Sequence, residues 1–336
     1  MKATVASVVL TFLLARCSGL SGAATPRPTA TPPPSRSLTV AYSAISGGNL
    51  PLWVAKEAGI FERYQLDVSE LLIPGGQNSM AALLSGQVQI AESGGSDALA
   101  ANVNGADVMV IAMPLPVYPY LLEVAPHIKQ PADLKGKRLG AGATGSSGDI
   151  ALRLALHKLG LDPIKDLTVI AVQSRQTGTT ALLNGALDGV VDDPPDSILL
   201  DAQGFHALFD MVELKTPAAQ TAVMAQRSWL GGHHAVAQAY IDARTEAIAR
   251  TRQDKAFALG VLKKYFKSDD DYAMSATYDY YLGKVIPAAP HVLPEQFKDA
   301  LVELTRTNNE VHNLDVRTFL DNSYVRSAVA RGLAAQ

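Results

Sequence analysis

Between Leu38 and Val212 the chain alternates short apolar, strand-like runs with helix-length segments, and glycine-rich loops mark many of the changeovers. That alternation points to an α/β architecture with a largely parallel sheet, because parallel strands are joined by crossover connections rather than tight hairpins. Residues 38–41 read as a first strand and 52–64 as a helix that turns Trp53, Ala58 and Phe61 inward. A second strand at 66–73 leads through Pro74-Gly75-Gly76-Gln77 into a helix containing Leu83 and Leu84. A third strand at 88–91, a small-residue helix to Asn104 and a fourth strand at 107–113 complete the first cycle. The second cycle has strands at 118–124, 138–141, 167–172, 189–191 and 207–212. Its helices fall at 149–159, 179–183 and 194–202, with Gly160 placed to end the first in a left-handed cap.

One more strand is expected at 221–225, and beyond it the chain is helical almost to its end. In the helix at 234–252, Val236, Tyr240, Ile241, Ala247 and Ile248 share one stripe. Helices of this kind need a surface on which to bury that stripe, and the first cycle supplies it. The expected organisation is therefore discontinuous. Lobe one takes 38–116 and 217–336, lobe two takes 117–216, and crossings near Pro116 and Thr216 form a hinge. A length of 336 residues suffices for two apolar cores.

The first 37 residues follow a different logic. Lys2 precedes an apolar run at 5–15, too short to span a bilayer and shaped like the core of an export signal, so 1–24 is read as a signal peptide. The single cysteine, Cys17, follows Leu14-Ala15-Arg16 in a lipobox-like setting where it would become the lipid-bearing first residue of a mature lipoprotein. Arg16 departs from the small residue a lipobox uses, and cleavage near Gly22-Ala23-Ala24 is the alternative. Residues 25–37, TPRPTATPPPSRS, are a proline-rich spacer of extended, semi-rigid character. One cysteine excludes an internal disulfide and any cysteine cluster for a metal. With a formal net charge of −3 and 18% charged residues there is no basic surface for nucleic acid.

Three stretches carry a family resemblance: 52–61 (LWVAKEAGIF) followed by Gly75-Gly76, 81–91 (AALLSGQVQIA), and 133–138 (DLKGKR) before Gly142-Ala143-Thr144-Gly145-Ser146-Ser147. In these the chain resembles the NMT1/THI5-like substrate-binding proteins, a group that includes binders of sulfonates, nitrate, thiamine-precursor pyrimidines and riboflavin-type ligands. The resemblance implies a two-lobed, type II periplasmic-binding-protein-like fold with a hinge and a helical C-terminal segment. It also implies an extracytoplasmic protein that captures a small organic molecule in the interlobe cleft and passes it to an ABC permease in the inner membrane. Lipidation at Cys17 would add a membrane contact. No metal, cofactor or catalytic group is expected. Two alternatives stay open: an enzyme of the pyrimidine- or menaquinone-precursor type on the same fold, and a receptor that presents its ligand to a membrane sensor.

Ligands of open α/β sheets sit beyond the carboxyl ends of the strands, where loops run into helix N-termini with free N–H donors. Four loops have that position. The first offers Ser43, Ser46, Gly47 and Asn49, with Gln77 contributed by the next glycine turn. The second offers Ser93, Gly94 and Ser96, where Ser96 or Asp97 alternatively caps the following helix. The third offers Thr144, Ser146 and Ser147. The fourth is Asp192-Asp193-Pro194-Pro195, in which Asp193 facing the cleft would favour an amine or another donor. Arg175 is the cation placed for an acidic group, and Tyr42 and Tyr118 are placed to stack on a planar ligand. Gly140, Gly142 and Gly145 also spell a dinucleotide-type G-x-G-x-x-G with Asp162 and Asp166 downstream, a reading that the mid-chain position and the export signal argue against. His233 and His234 are adjacent, and on a helix they diverge by about 100° and share no metal.

Overall fold

The computed structural model describes residues 36–306 and 308–334. The expected signal peptide, Cys17 and the expected spacer up to residue 35 lie outside the described residues. Strand β1 (Arg36–Tyr42) begins two residues ahead of expectation, since Arg36 and Ser37 already pair with Leu66 and Asp67. Then come α1 (Leu50–Glu57) and α2 (Ile60–Arg63). They were expected as one helix, and Gly59 separates them by adopting φ +63°, a left-handed conformation that favours glycine. The first cycle closes with β2 (Leu66–Leu72), α3 (Gly76–Leu84), β3 (Ile90–Ser93), α4 (Gly95–Val103) and β4 (Val108–Leu115).

The second cycle contains β5 (Leu121–Val124), β6 (Arg138–Ala141), α5 (Ser147–Lys158), β7 (Thr168–Ala171), α6 (Arg175–Leu183), β8 (Gly189–Asp192), α7 (Asp196–Asp201) and β9 (His206–Asp210). Gly160 follows α5 at φ +77°, as the left-handed cap requires. After β10 (Thr221–Gln226) the chain continues as α8 (Arg227–Gln253), α9 (Lys255–Phe266), α10 (Asp271–Tyr280), α11 (Lys298–Thr305) and α12 (Ser323–Ala330). Among the described residues no helix is long and apolar enough to cross a membrane.

The strands form two five-stranded sheets, ordered β2-β1-β3-β10-β4 and β7-β6-β8-β5-β9. Neither is as parallel as the alternation suggests. In each sheet one strand runs antiparallel to both neighbours: β10 between β3 and β4, and β5 between β8 and β9. Each of these two strands is the first to follow a crossing from one sheet to the other, and β10 completes the first sheet from beyond the second cycle. The crossings are bonded to one another, with the Ala218 N–H donating to the Pro116 carbonyl at 2.7 Å.

The C-terminal helices cover the first sheet. Tyr240, Ile241, Ala247 and Ile248 of α8 are buried, and Tyr240 stacks on Phe61 of α2 at 5.7 Å between ring centroids. Trp53 of α1 is fully buried and stacks on Tyr265 of α9 at 4.5 Å. Large aromatic surfaces removed from water in this way tie the tail to the first cycle more firmly than helix propensity would. His233 has a non-helical backbone inside α8 and stacks on Trp229, whereas the next residue, His234, packs on Tyr324. The two imidazoles serve separate contacts, and no metal-holding group of side chains occurs among the described residues.

Candidate ligand-binding site

A cavity of about 610 Å³ lies between the two sheets, and every loop that lines it follows the carboxyl end of a strand or belongs to a crossing. Each loop reaches it for a local reason. After β1, Ser46 caps a short 3₁₀ turn by accepting from the Gly48 N–H, and its hydroxyl donates across the cleft to Asp193 Oδ2 at 2.7 Å. Asn49 folds its amide back onto the Ala44 carbonyl, closing the loop on itself. Gly47 does not line the cavity. A Cβ there would lie 2.5 Å from the Tyr281 ring, so its missing side chain makes room for the C-terminal segment.

After β2, Gly75 takes φ +86° and Gly76 lies against the Asp97 carboxylate, where a Cβ would come within 1.9 Å of Oδ2. Gln77 lines the cavity mouth with its side chain exposed. After β3, Ser93 is buried and donates to Asp97 at 2.9 Å, Ser96 is buried away from the cavity, and Gly94 faces it. Gly94 is also where the lobes touch, since a Cβ would meet Ser147 Oγ at 2.6 Å.

In the second lobe Ser146 caps α5 by accepting from the Asp149 N–H, and Ser147 donates to the Gln220 carbonyl at 3.3 Å. Both line the cavity, whereas Thr144 is exposed outside it. Arg175 opens α6 behind its cap Ser174 and is ion-paired with Asp193. Asp193 is 2% exposed and also accepts from Ser46 and Tyr281, so it lies behind the cavity wall and not on it. Asp192 is buried as well, accepting from Thr179 at 2.7 Å, and burial pushes its carboxyl up to about 7. The fourth loop therefore anchors Arg175 instead of presenting two acids to the cleft.

The expected stacking tyrosines are both core residues. Tyr42 packs edge-on against Trp53 at 6.5 Å, and Tyr118 is 3% exposed. Tyr120 is the tyrosine on the cavity, its hydroxyl accepting from Gln220 Nε2 at 2.7 Å. Two carboxylates line the cavity, Glu92 and Asp97, and Asp97 is held up at about 6 by burial against the opposing pull of the Ser93 and Gly94 hydrogen bonds. The G-x-G-x-x-G glycines also have local explanations. A Cβ on Gly140 would strike Leu187 at 2.6 Å, and Asp162 accepts from the N–H groups of Ile164 and Lys165 in an exposed turn.

The family model described as NMT1/THI5 like matches residues 48–254, which takes in both sheets from the first loop onward and all of α8. The chain belongs to the NMT1/THI5-like family. Solved structures agree on the fold. The periplasmic aliphatic sulphonate binding protein SsuA from Escherichia coli superposes with a TM-score of 0.69 at 23% identity, over 85% of this chain and 92% of that one. The alkanesulfonate-binding protein SsuA from Xanthomonas axonopodis pv. citri, bound to MOPS, gives 0.69 at 20% identity over 88% and 98%. The periplasmic nitrate-binding protein NrtA from Synechocystis PCC 6803 gives 0.69 at 15% identity over 88% and 89%. Among curated proteins, none matches. The fold is thus the two-lobed, type II periplasmic-binding-protein-like arrangement.

Of the side chains and glycines singled out in the sequence of this NMT1/THI5-like protein, Ser43, Ser46, Asn49, Gln77, Gly94, Ser146, Ser147 and Arg175 come together on one cavity. Tyr42, Gly47, Ser93, Ser96, Tyr118, Thr144 and Asp193 do not line it. Tyr120 and Gln220 were missed because they belong to the crossings. Residues 118–124 read as one strand, yet β5 starts only at Leu121, so strand alternation is no guide to Tyr118 or Tyr120.

Proposed function

We propose that this protein is an extracytoplasmic solute-binding protein that holds a small organic molecule in the interlobe cavity and delivers it to an ABC importer, without making or breaking a bond. The observation that carries this is the cavity itself: about 610 Å³, walled by loops from both lobes, between sheets that the chain joins at two mutually bonded crossings. Such a volume suits a small ligand, and hinged lobes can close around one. The functional boundaries proposed are 38–116 with 217–336 for lobe one and 117–216 for lobe two. The side chains proposed to touch the solute are Ser43, Ser46, Gln77, Ser146, Ser147 and Arg175, to which Asp97, Tyr120 and Gln220 are added. The names of the sulfonate- and nitrate-binding neighbours support a transport role. They do not choose the ligand.

A thermal-shift screen of the exported protein against sulfonates, carboxylates, amines, pyrimidines and flavins tests the reading. A true ligand raises the midpoint with dose, by the equivalent of about 2.7 kcal/mol at a hundredfold excess over Kd. Mass spectrometry after prolonged incubation should return the ligand unchanged, and turnover would overturn the binding role. Export and anchoring belong to the same proposal. With Cys17 lipidated, Cys17→Ser should move the protein from the membrane fraction to the soluble one, whereas an unchanged distribution would favour cleavage near Ala24.

A further inference from the structure

Among the described residues three acidic or basic side chains line the cavity, and two of them are already neutralised. Glu92 receives two guanidinium bonds from Arg244, at 2.9 and 3.1 Å, and the Tyr240 hydroxyl at 2.7 Å, all of them buried. Arg175 is ion-paired with the buried Asp193. Asp97 is the remaining one. It accepts from Ser93 Oγ at 2.9 Å and has no cationic partner among the described residues. The nearby Asp149 of α5 is itself bonded to Arg153, at 3.0 and 3.1 Å.

Space has been made for this carboxylate on both sides. Gly76 leaves room for Oδ2 where any Cβ would overlap it, and a Cβ on Gly94 would lie 3.3 Å from the same oxygen. Asp97 also stands in the first turn of α4, where the helix dipole lowers a carboxyl's proton affinity. Its carboxyl is nevertheless held up at about 6, so burial outweighs the dipole and the hydrogen bonds together. A site whose other charges cancel, and which keeps one carboxylate without a counter-charge, discriminates by charge: it attracts a cationic nitrogen and repels a bare anion.

We infer that the solute carries a protonated amine seated against the Asp97 carboxylate, with the rest of the molecule held by hydroxyl and amide groups of both lobes. This rests on the cavity's being the solute site. Titration calorimetry on the exported full-length protein tests it with matched probes: 2-aminoethanesulfonate against ethanesulfonate, β-alanine against propionate, and ethanolamine against ethylene glycol. The aminated member of at least one pair should bind about tenfold tighter than its partner or better. At pH about 6, where Asp97 is half-protonated, amine binding should release protons, because a cation favours the charged carboxylate. The release is read by repeating the titration in two buffers of different ionisation enthalpy. Asp97→Asn, which can still accept from Ser93, should abolish the release and reduce the preference to about threefold or less. The sign of proton exchange in the unmodified protein stands even where that variant folds poorly. Tighter binding of the deaminated members, or proton uptake on binding, overturns the amine inference and leaves the cavity as a solute site. Binding of no probe, together with no small molecule released on denaturing the purified protein, overturns both.

Discussion

Glu123 lies inside β5 at 0% exposure, with both carboxylate oxygens buried and without a hydrogen-bond partner among the described residues. Burial pushes its carboxyl up to about 8, and the nearby charges of Asp201 and Asp192 push the same way. Because the folded state holds this proton more tightly than the unfolded chain does, the stability linked to it is fully present below about pH 4.5 and lost as pH rises through about 8. Asp192 and Glu70, both raised to about 7, act in the same direction. Urea unfolding at pH 5 and pH 8 should therefore show a less stable protein at the higher pH. Glu123→Gln should flatten that dependence and stabilise the protein at pH 8 by a few kcal/mol, at about 1.4 kcal/mol for each tenfold change in proton affinity. An unchanged pH slope in the variant would place the sensitivity elsewhere. At this scale the sequence signal was faint, for nothing in Leu121-Leu122-Glu123-Val124 distinguishes a glutamate turned inward from one turned to water.

At the scale of elements, the start of α5 shows how capping and binding share the same groups. Ser146 caps the helix through a 3.4 Å contact, a long one, while Ser147 reaches the Gln220 carbonyl in the second crossing. Replacing both with alanine should cost about 0.5–2 kcal/mol of stability for the cap and about 1 kcal/mol for the hinge bond. Solute affinity should fall by about another 1 kcal/mol per hydrogen bond lost to the ligand. Unaltered affinity with the stability loss intact would remove this loop from the site and leave it purely structural. Element boundaries were legible where a special residue marks them. Gly160, which ends α5 at φ +77°, is such a marker. They were misplaced where the marker is weaker. Ser174 caps α6 and starts it at Arg175, four residues ahead of the expected position, and that puts Arg175 on a helix beside Asp193 instead of on a loop.

At the scale of the whole molecule, the lobes are joined by more than the crossings. Tyr281, from the C-terminal segment that covers the first sheet, donates to Asp193 of the second lobe, and Tyr280 and Lys284 both bond to Asp210 at 3.1 Å. These bonds favour the closed arrangement before any ligand adds its own. Tyr281→Phe combined with Lys284→Ala should shift the balance toward open lobes by about 1 kcal/mol per bond, roughly fivefold in population for each. Small-angle scattering of the unliganded variant should then give a larger radius of gyration than the parent, and saturating ligand should bring the two together. Equal radii without ligand would mean that the Tyr281 and Lys284 bonds do not set the balance between open and closed lobes.

The sequence by itself determined the α/β class, the return of the helical tail to the first cycle, and most of the loops that would meet. Each of these follows from local patterning: period-two and period-3.6 hydrophobicity, glycine at a left-handed turn, serine at a helix start. Only the tertiary structure decided that β5 and β10 run antiparallel to their neighbours, and that Glu92 and Arg175 are neutralised by Arg244 and Asp193. It likewise decided that the cavity presents Tyr120 and Asp97 in place of Tyr118 and Asp193. Glu92 and Arg244 are 152 residues apart, and Ser46 and Asp193 are 147 apart. Pairing over such separations depends on which side chains the fold brings within a few ångströms, and no local periodicity encodes it.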